Sequence, residues 1–243
     1  MTLAAQLSSF DYLDLIAVSL LLGFWLGIGW WIDRENAARP SVSTLMADYR
    51  REWMVQMITR DPRIFDAQIL GNLRQGTAFF ASASMIALGG GLALVGNAER
   101  LTTLADDLSL GDDPTFVWEL KLVFMLALVV NGFLKFVWSN RLFGYCAVLV
   151  SAVPNDVTDP LATVRATQAG EINVTAARSF NKGLRSVYFA LATSAWLLGP
   201  LALCLAALVT FGILWRREFA SQSRAVLMSS RPRQRAADDH TAS

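Results

Sequence analysis

Four apolar runs, each long enough to cross a bilayer, constrain this chain more than any other feature. They cover residues 13–32, 76–96, 116–138 and 187–214, and about 20 apolar residues suffice for one helical crossing. The chain is 54% hydrophobic and 17% charged, whereas soluble domains carry about a quarter of charged residues. The sequence therefore predicts an all-α fold: a polytopic membrane helical bundle with about four transmembrane helices and additional amphipathic cytoplasmic helices.

Residues 1–222 are predicted to form one transmembrane domain, and the Arg-rich residues 223–243 a disordered polar tail. The first run is expected to be retained as a span, because no Lys or Arg precedes it and no small-residue cleavage site follows. Pro200 is expected to kink the fourth span. The spans predict a multi-pass protein, and the expected location is the cell inner (plasma) membrane.

The polar segment between the first two spans is predicted to contain helices. Ser41 or Ser43 can cap a helix carrying Leu45, Tyr49, Trp53 and Met57 at four-residue spacing. This helix either lies on the membrane surface or packs against the protein's own loops, and the sequence favours neither. Asp61–Pro62 predicts the start of a further helix that continues into the second span.

The distribution of positive charge predicts the orientation. Lys and Arg number none before the first span, seven in residues 34–74, one in the second loop, five in residues 141–185 and six in the tail. The positive-inside rule places both long loops in the cytoplasm and the acidic residues 97–115 outside. An even number of spans with an external N-terminus then leaves the tail outside. A fifth crossing or a hairpin at Gly199–Pro200 would remove that conflict.

Polar residues in the third span are candidates for a pore or another polar intramembrane role: Glu119, Lys121, Asn131 and Lys135. Ionisable groups inside a span usually face a protein interior or a cavity. The alternative is that the charged side chains extend to the interfaces, and that Asn131 forms a helix–helix hydrogen bond.

Four basic residues are candidates for contact with anionic lipid or another anion: Arg51, Arg60, Arg63 and Arg185. The alternative is ion pairing between cytoplasmic helices, including Arg63 with Asp66. Small residues of the second span are candidates for close helix packing: Gly76, Ala83, Ala87 and Gly91.

No catalytic, metal or cofactor site is expected. The single histidine is His240 in the polar tail, no nucleophile stands beside a base, and Cys146 and Cys204 are expected to be small buried hydrophobic residues. The expected partners are the lipid bilayer and a second copy or another membrane protein, and no nucleic acid. The function these features favour is an oligomerising or scaffolding membrane subunit without enzyme activity. The alternative is an oligomeric small channel or transporter with a path lined by the third span.

Several segments resemble an uncharacterised membrane family, domain of unknown function 599, over about residues 10–223. The resemblance implies a four-span bacterial or organellar membrane protein and no activity. The segments that carry it are Arg51–Trp53 to Met57, Arg60, Arg63, Asp66 and Asn72–Leu73; FFASAS at 79–84 with the glycines that follow; Phe133, Lys135, Phe136, Trp138, Ser139, Arg141 and Tyr145; SFNKGLRSVYFALA at 179–192; and Arg217–Glu218–Phe219.

Overall fold

The computed structural model describes residues 11–34, 38–97, 99 and 114–229, which are almost entirely helical and include no strand. The all-α prediction is confirmed. Four segments are long and apolar enough to cross a membrane: Tyr12–Asp33, Ile64–Val95, Thr115–Ser151 and Pro200–Ser229. The helices are α1 (Tyr12–Asp33), α2 (Val42–Gln56), α3 (Ile64–Val95), α4 (Thr115–Ser151), α5 (Pro160–Thr193), α6 (Pro200–Phe219) and α7 (Gln222–Ser229).

Local capping signals fix several helix starts. Asp11 caps α1, and the Asp14 carboxylate accepts a hydrogen bond from the Asp11 backbone N–H at 3.2 Å. Ser41 caps α2 by accepting from the Thr44 N–H at 3.1 Å. The predicted helix start at Asp61–Pro62 is wrong, because residues 61–63 form a bend and α3 begins at Ile64.

The main departure from the sequence-based prediction is a helical hairpin where one span of residues 187–214 was expected. α5 ends at Thr193, a 3₁₀ turn follows over Ser194–Leu198, and Gly199 (φ 116°) precedes α6. Lys182 and Arg185 pair with Asp33 at the end of α1, and Trp196 donates to Asp14 near its start. α5 therefore runs antiparallel to α1.

α6 returns in the opposite direction to α5. Phe211 packs against Phe24, with ring centroids 4.7 Å apart, and Phe219 packs against Trp31 at 5.3 Å. α6 is therefore parallel to α1. With this hairpin, the chain passes five times between the two ends of the bundle. We call the end at Asp33, Arg185 and Phe219 the near end, and the end at Asp14 and Trp196 the far end.

The molecule has two layers, each with its own core. The first lies between the near and far ends and is centred on Leu21, Ile28, Leu128, Phe189 and Leu203. The second lies beyond the near end, where α2 and the adjoining parts of α3, α4 and α5 bury a separate apolar cluster. That cluster includes Met54, Met57, Leu70, Phe143, Cys146, Val150, Ala162, Ala166 and Ala169.

The surroundings of α2 decide between the two interpretations of this helix. Leu45 and Met54 are buried, and the Cβ position of Gly170 on α5 lies 3.4 Å from Arg51 Cα. α2 therefore packs against the protein's own α5.

The predicted tail also differs in part: residues 222–229 form α7, and residues 230–243 lie outside the described part of the chain.

Candidate functional site

A cleft of about 510 Å³ opens at the near end between α1, α4 and α5. We call it the basic cleft. Its wall contains the cationic side chains of Arg34, Lys135, Lys182 and Arg185, with Asp33 as the one carboxylate. The remaining lining residues are Trp25, Leu26, Gly29, Trp30, Asn131 and Ser186.

Asp33 holds two of the cations in place. Arg185 Nη2 lies 3.0 and 3.1 Å from the two Asp33 carboxylate oxygens, and Lys182 Nζ lies 3.3 Å from Oδ2. Arg185 is buried on α5 opposite Gly29 of α1, where a Cβ on Gly29 would lie 3.8 Å from Arg185 Nε, an ordinary contact distance. One carboxylate therefore forms ion pairs with two basic side chains.

The other two cations, Arg34 and Lys135, have no acidic partner among the described residues. The Arg34 guanidinium lies 5.1 Å from the centroid of the Trp30 ring. Within the described part of the chain, the half-buried Lys135 ammonium has neither an ion pair nor a hydrogen bond. Beside it, Asn131 Oδ1 accepts a hydrogen bond from Ser186 Oγ at 3.0 Å.

The polar residues predicted for the third span do not form one site. Asn131 and Lys135 lie in the basic cleft, but Lys121 lies at the far end, where its Nζ is 5.3 Å from the Trp118 ring and 5.8 Å from the Trp196 ring. Glu119 lies in the same helical turn as Lys121. Ten residues of helix, about 15 Å, separate Lys121 from Asn131.

The four predicted anion contacts are also dispersed. Arg185 belongs to the basic cleft, whereas Arg51 forms two hydrogen bonds with Glu171, at 2.6 and 3.2 Å. The Arg51 guanidinium holds the pKa of Glu171 below its usual value by hydrogen bonding, so the pair that joins α2 to α5 stays ionised at neutral pH.

Arg60 and Arg63 lie in a separate cluster beyond the near end. The predicted pair of Arg63 with Asp66 is wrong, because the fully buried Asp66 carboxylate pairs with Arg60 and accepts from Trp53 Nε1 at 2.6 Å. Arg63 instead donates to the backbone carbonyls of Val153 and Pro154. These side chains therefore fasten the α2–α3 connection to the loop after α4.

The predicted packing residues of α3 divide into two faces. A Cβ atom on Gly91 would lie 2.3 Å from Leu126 Cδ2, so Gly91 packs against α4. Ala83 and Ala87 are exposed, and Gly76 is half-buried in the wall of a second cavity. The small-residue face at Ala83 and Ala87 is thus not covered by the described residues of its own chain.

The most extensive helix pair, between α4 and α5, was not predicted from the sequence. A Cβ on Gly132 would lie 3.2 Å from the Gly183 carbonyl oxygen. Ser139 Oγ donates to the Ala176 carbonyl at 2.7 Å, and Ser179 Oγ donates to the Lys135 carbonyl at 3.0 Å. The signal in the sequence is the run of small residues on α5.

The second cavity, of about 470 Å³, lies beside α2, α3, α5 and α6 at the near end. Arg50, Arg178, Arg217 and Glu218 contribute charged groups to a mainly apolar wall. Arg50 Nη1 donates to Asn173 Oδ1 at 2.6 Å, and burial lowers the pKa of Arg50. Glu218 accepts from both the backbone N–H and Oγ of Ser43, so it ties α6 to α2.

A comparison with protein families matches residues 16–223 to the family described as "Protein of unknown function, DUF599". The chain belongs to this family. No curated protein and no solved structure matches it.

The DUF599 match extends from α1 to the start of α7 and so includes the hairpin, both cavities and all the residues of the basic cleft. Among the described residues, no group of three His, Cys, Asp or Glu side chains is arranged to hold a metal ion.

Proposed function

We propose that this DUF599 protein is an oligomerising membrane scaffold subunit without catalytic activity of its own, and that copies associate through α3. The observation that carries the proposal is the uncovered small-residue face of α3. Small residues let two helix backbones approach closely in a bilayer, where van der Waals packing drives association.

The peripheral position of α3 supports this role. Only 11% of the most apolar 18-residue stretch of α3 is buried, compared with 33% of the corresponding stretch of α4. Ala83, Ala87 and Gly90 are exposed, and a Cβ on Gly90 would meet no atom within 4 Å. A second helix can therefore approach α3 without displacing any of the described residues.

The layer beyond the near end supports the scaffolding part of the proposal. α4 continues for about 18 Å past Ser139, and its last turns share the second apolar core with α2 and α5. This layer gives the subunit a rigid helical surface outside the membrane. We place that surface in the cytoplasm, on the positive-inside rule.

The channel alternative receives less support from the geometry. A path lined by the third span requires the polar face of α4 to meet a water-filled interface between copies. Asn131 and Lys135 instead face α1 and α5 of the same chain. The exposed face of α4 is apolar and includes Val123, Val130, Leu134 and Val137.

The test is the oligomeric state of the full-length protein in lipid nanodiscs and in detergent, measured by native mass spectrometry. The double variant Ala83→Leu/Ala87→Leu is expected to weaken association by about tenfold or more, because bulky side chains prevent close approach. Ala127→Leu, at an exposed small residue of α4, is the matched control. A wild type that stays monomeric at micromolar concentration, or equal loss in the control, would refute the proposal.

A further inference from the structure

We infer that the basic cleft binds the phosphate group of an anionic phospholipid from the leaflet at the near end. The inference rests on the cleft itself and does not depend on whether copies associate through α3. Four observations support it: excess positive charge, unused hydrogen-bond donors, the depth of the site in the bundle, and an opening toward lipid.

The cleft contains more positive charge than its described residues neutralise. Arg34, Lys135, Lys182 and Arg185 face one carboxylate, Asp33, so the described residues of the wall have a formal net charge of +3. A cation in a partly dehydrated site at the membrane boundary is costly without a counter-charge. An anion from outside the chain would provide that counter-charge.

The donors available in the cleft suit a phosphate. Lys135 has no partner in the described chain, and Lys182 and Arg185 share Asp33. The Asn131 side chain uses its oxygen to accept from Ser186, which turns its NH₂ group toward other acceptors. Ammonium, guanidinium and amide donors from two helices therefore converge on one volume of about 510 Å³.

The position of the cleft favours a lipid over a soluble ion. Leu26 and Trp30 of its wall are 61% and 67% exposed on the outside of the bundle, and Leu134, which precedes Lys135 on α4, is 57% exposed. Trp25 and Trp30 lie at the level expected for an interfacial aromatic belt. A phospholipid with its phosphate in the cleft can lay its acyl chains along the outer faces of α1 and α4.

Net charge distinguishes anionic from zwitterionic lipid. A zwitterionic lipid such as phosphatidylcholine would add its choline cation to a site that already has an excess of positive charge. Basic pockets between transmembrane helices at the cytoplasmic side are suited to anionic headgroups. We therefore expect phosphatidylglycerol to bind in preference to phosphatidylcholine.

The experiment measures lipid retained by the full-length protein in native mass spectrometry after purification with equal amounts of phosphatidylglycerol and phosphatidylcholine. The wild type is expected to retain phosphatidylglycerol preferentially. Lys135→Gln/Lys182→Gln should reduce that preference by about fivefold for each charge removed, or about 25-fold for the pair. Lys135→Arg/Lys182→Arg should keep most of it, because both charges remain.

The matched control is Arg141→Gln/Arg165→Gln, which removes two charges from the same end of the molecule but outside the cleft. Its preference should stay within twofold of the wild type, and all variants should keep the wild-type melting temperature within a few degrees. An equal loss of lipid preference in the control would mean that general surface charge, and not the basic cleft, causes the preference, and this would overturn the proposal. A wild type without preference would also overturn it.

A second arm separates a headgroup from a free ion. Inorganic phosphate at millimolar concentration is titrated into detergent-solubilised protein with phosphatidylglycerol bound. Little or no displacement is expected, because the acyl chains contribute to the affinity of the lipid. Complete displacement by inorganic phosphate would contradict the lipid assignment and identify a site for soluble phosphate.

Discussion

At the scale of single residues, glycine and serine residues determine how closely α4 and α5 approach each other. Phe136 lies directly opposite Gly183, and its buried ring is itself flanked by Phe80 and Phe180, with centroids 5.4 and 5.5 Å away. A Cβ on Gly183 would lie 2.6 Å from Phe136 Cε1. The ring cannot move aside without disturbing its own neighbours.

Gly183→Ala is therefore expected to lower the free energy of unfolding by about 1–3 kcal/mol, because the added methyl group overpacks this contact. Gly144→Ala is the control, since its Cβ would meet no atom within 4 Å. Alanine there should be neutral or slightly stabilising because of its higher helix propensity. Thermal unfolding in detergent, followed by circular dichroism, compares the two. Equal melting temperatures would mean that the α4–α5 contact is looser than described.

Asp66 permits a second test at this scale. Its carboxylate is fully buried and holds Trp53 and Arg60, so Asp66→Ala leaves a part-buried indole N–H without its acceptor. We expect a loss of about 1–3 kcal/mol in the free energy of unfolding. Asp48→Ala removes an exposed carboxylate that pairs with Arg51, and surface pairs contribute less than about 1 kcal/mol. The same unfolding measurement would contradict our description of the buried cluster if both variants lost equal stability.

Residue patterns in the sequence predicted part of the basic cleft. The four-residue spacing of Asn131 and Lys135 placed both on one face of α4, and both line the cleft. The sequence could not predict that Lys182 and Asp33 lie beside them, because these residues come from two other helices. It grouped Glu119 and Lys121 with them only because all four share a helix, although a helix of this length connects opposite ends of the bundle.

At the scale of the helices, α5 shows why hydropathy alone gave an incomplete topology. α1, α3, α4 and α6 have faces exposed to lipid and so are strongly apolar. α5 contacts α1, α2, α4 and α6, and in its second half the polar side chains of Arg185, Ser186 and Thr193 are buried against protein. The apolar pattern of α1, α3 and α4 therefore predicted their positions, whereas the second half of α5 was joined to α6 as one span.

Gly199 makes the reversal between α5 and α6 possible. Its φ of 116° and ψ of 168° lie in a region that only glycine adopts readily. Gly199→Ala is expected to lower the free energy of unfolding by about 1–3 kcal/mol through backbone strain. Gly212→Ala, on α6 with no atom within 4 Å of its Cβ, is the control and should leave the melting temperature unchanged or higher. An unaffected Gly199→Ala variant would contradict the tight turn.

At the scale of the whole molecule, the hairpin resolves the conflict between charge and span number. With five passes, the segment after α6 lies at the near end, where Arg39 Nη2 donates to the Phe219 carbonyl and Arg224 Nε donates to that of Pro40. Of the 17 Lys and Arg in the described residues, 16 lie at or beyond the near end, and Lys121 lies at the far end. This asymmetry is the one that the positive-inside rule associates with a single cytoplasmic side.

The most direct test of this topology is the accessibility of single cysteines to a membrane-impermeant maleimide in intact cells. Asp48→Cys, Asn97→Cys and Ser229→Cys are introduced in a Cys204→Ala background, in which the remaining Cys146 is fully buried. Labelling in permeabilised cells confirms that each site reacts. We predict that the sites at 48 and 229 are both protected and that the site at 97 is labelled. Opposite behaviour of the sites at 48 and 229 would mean an even number of crossings and would contradict the hairpin.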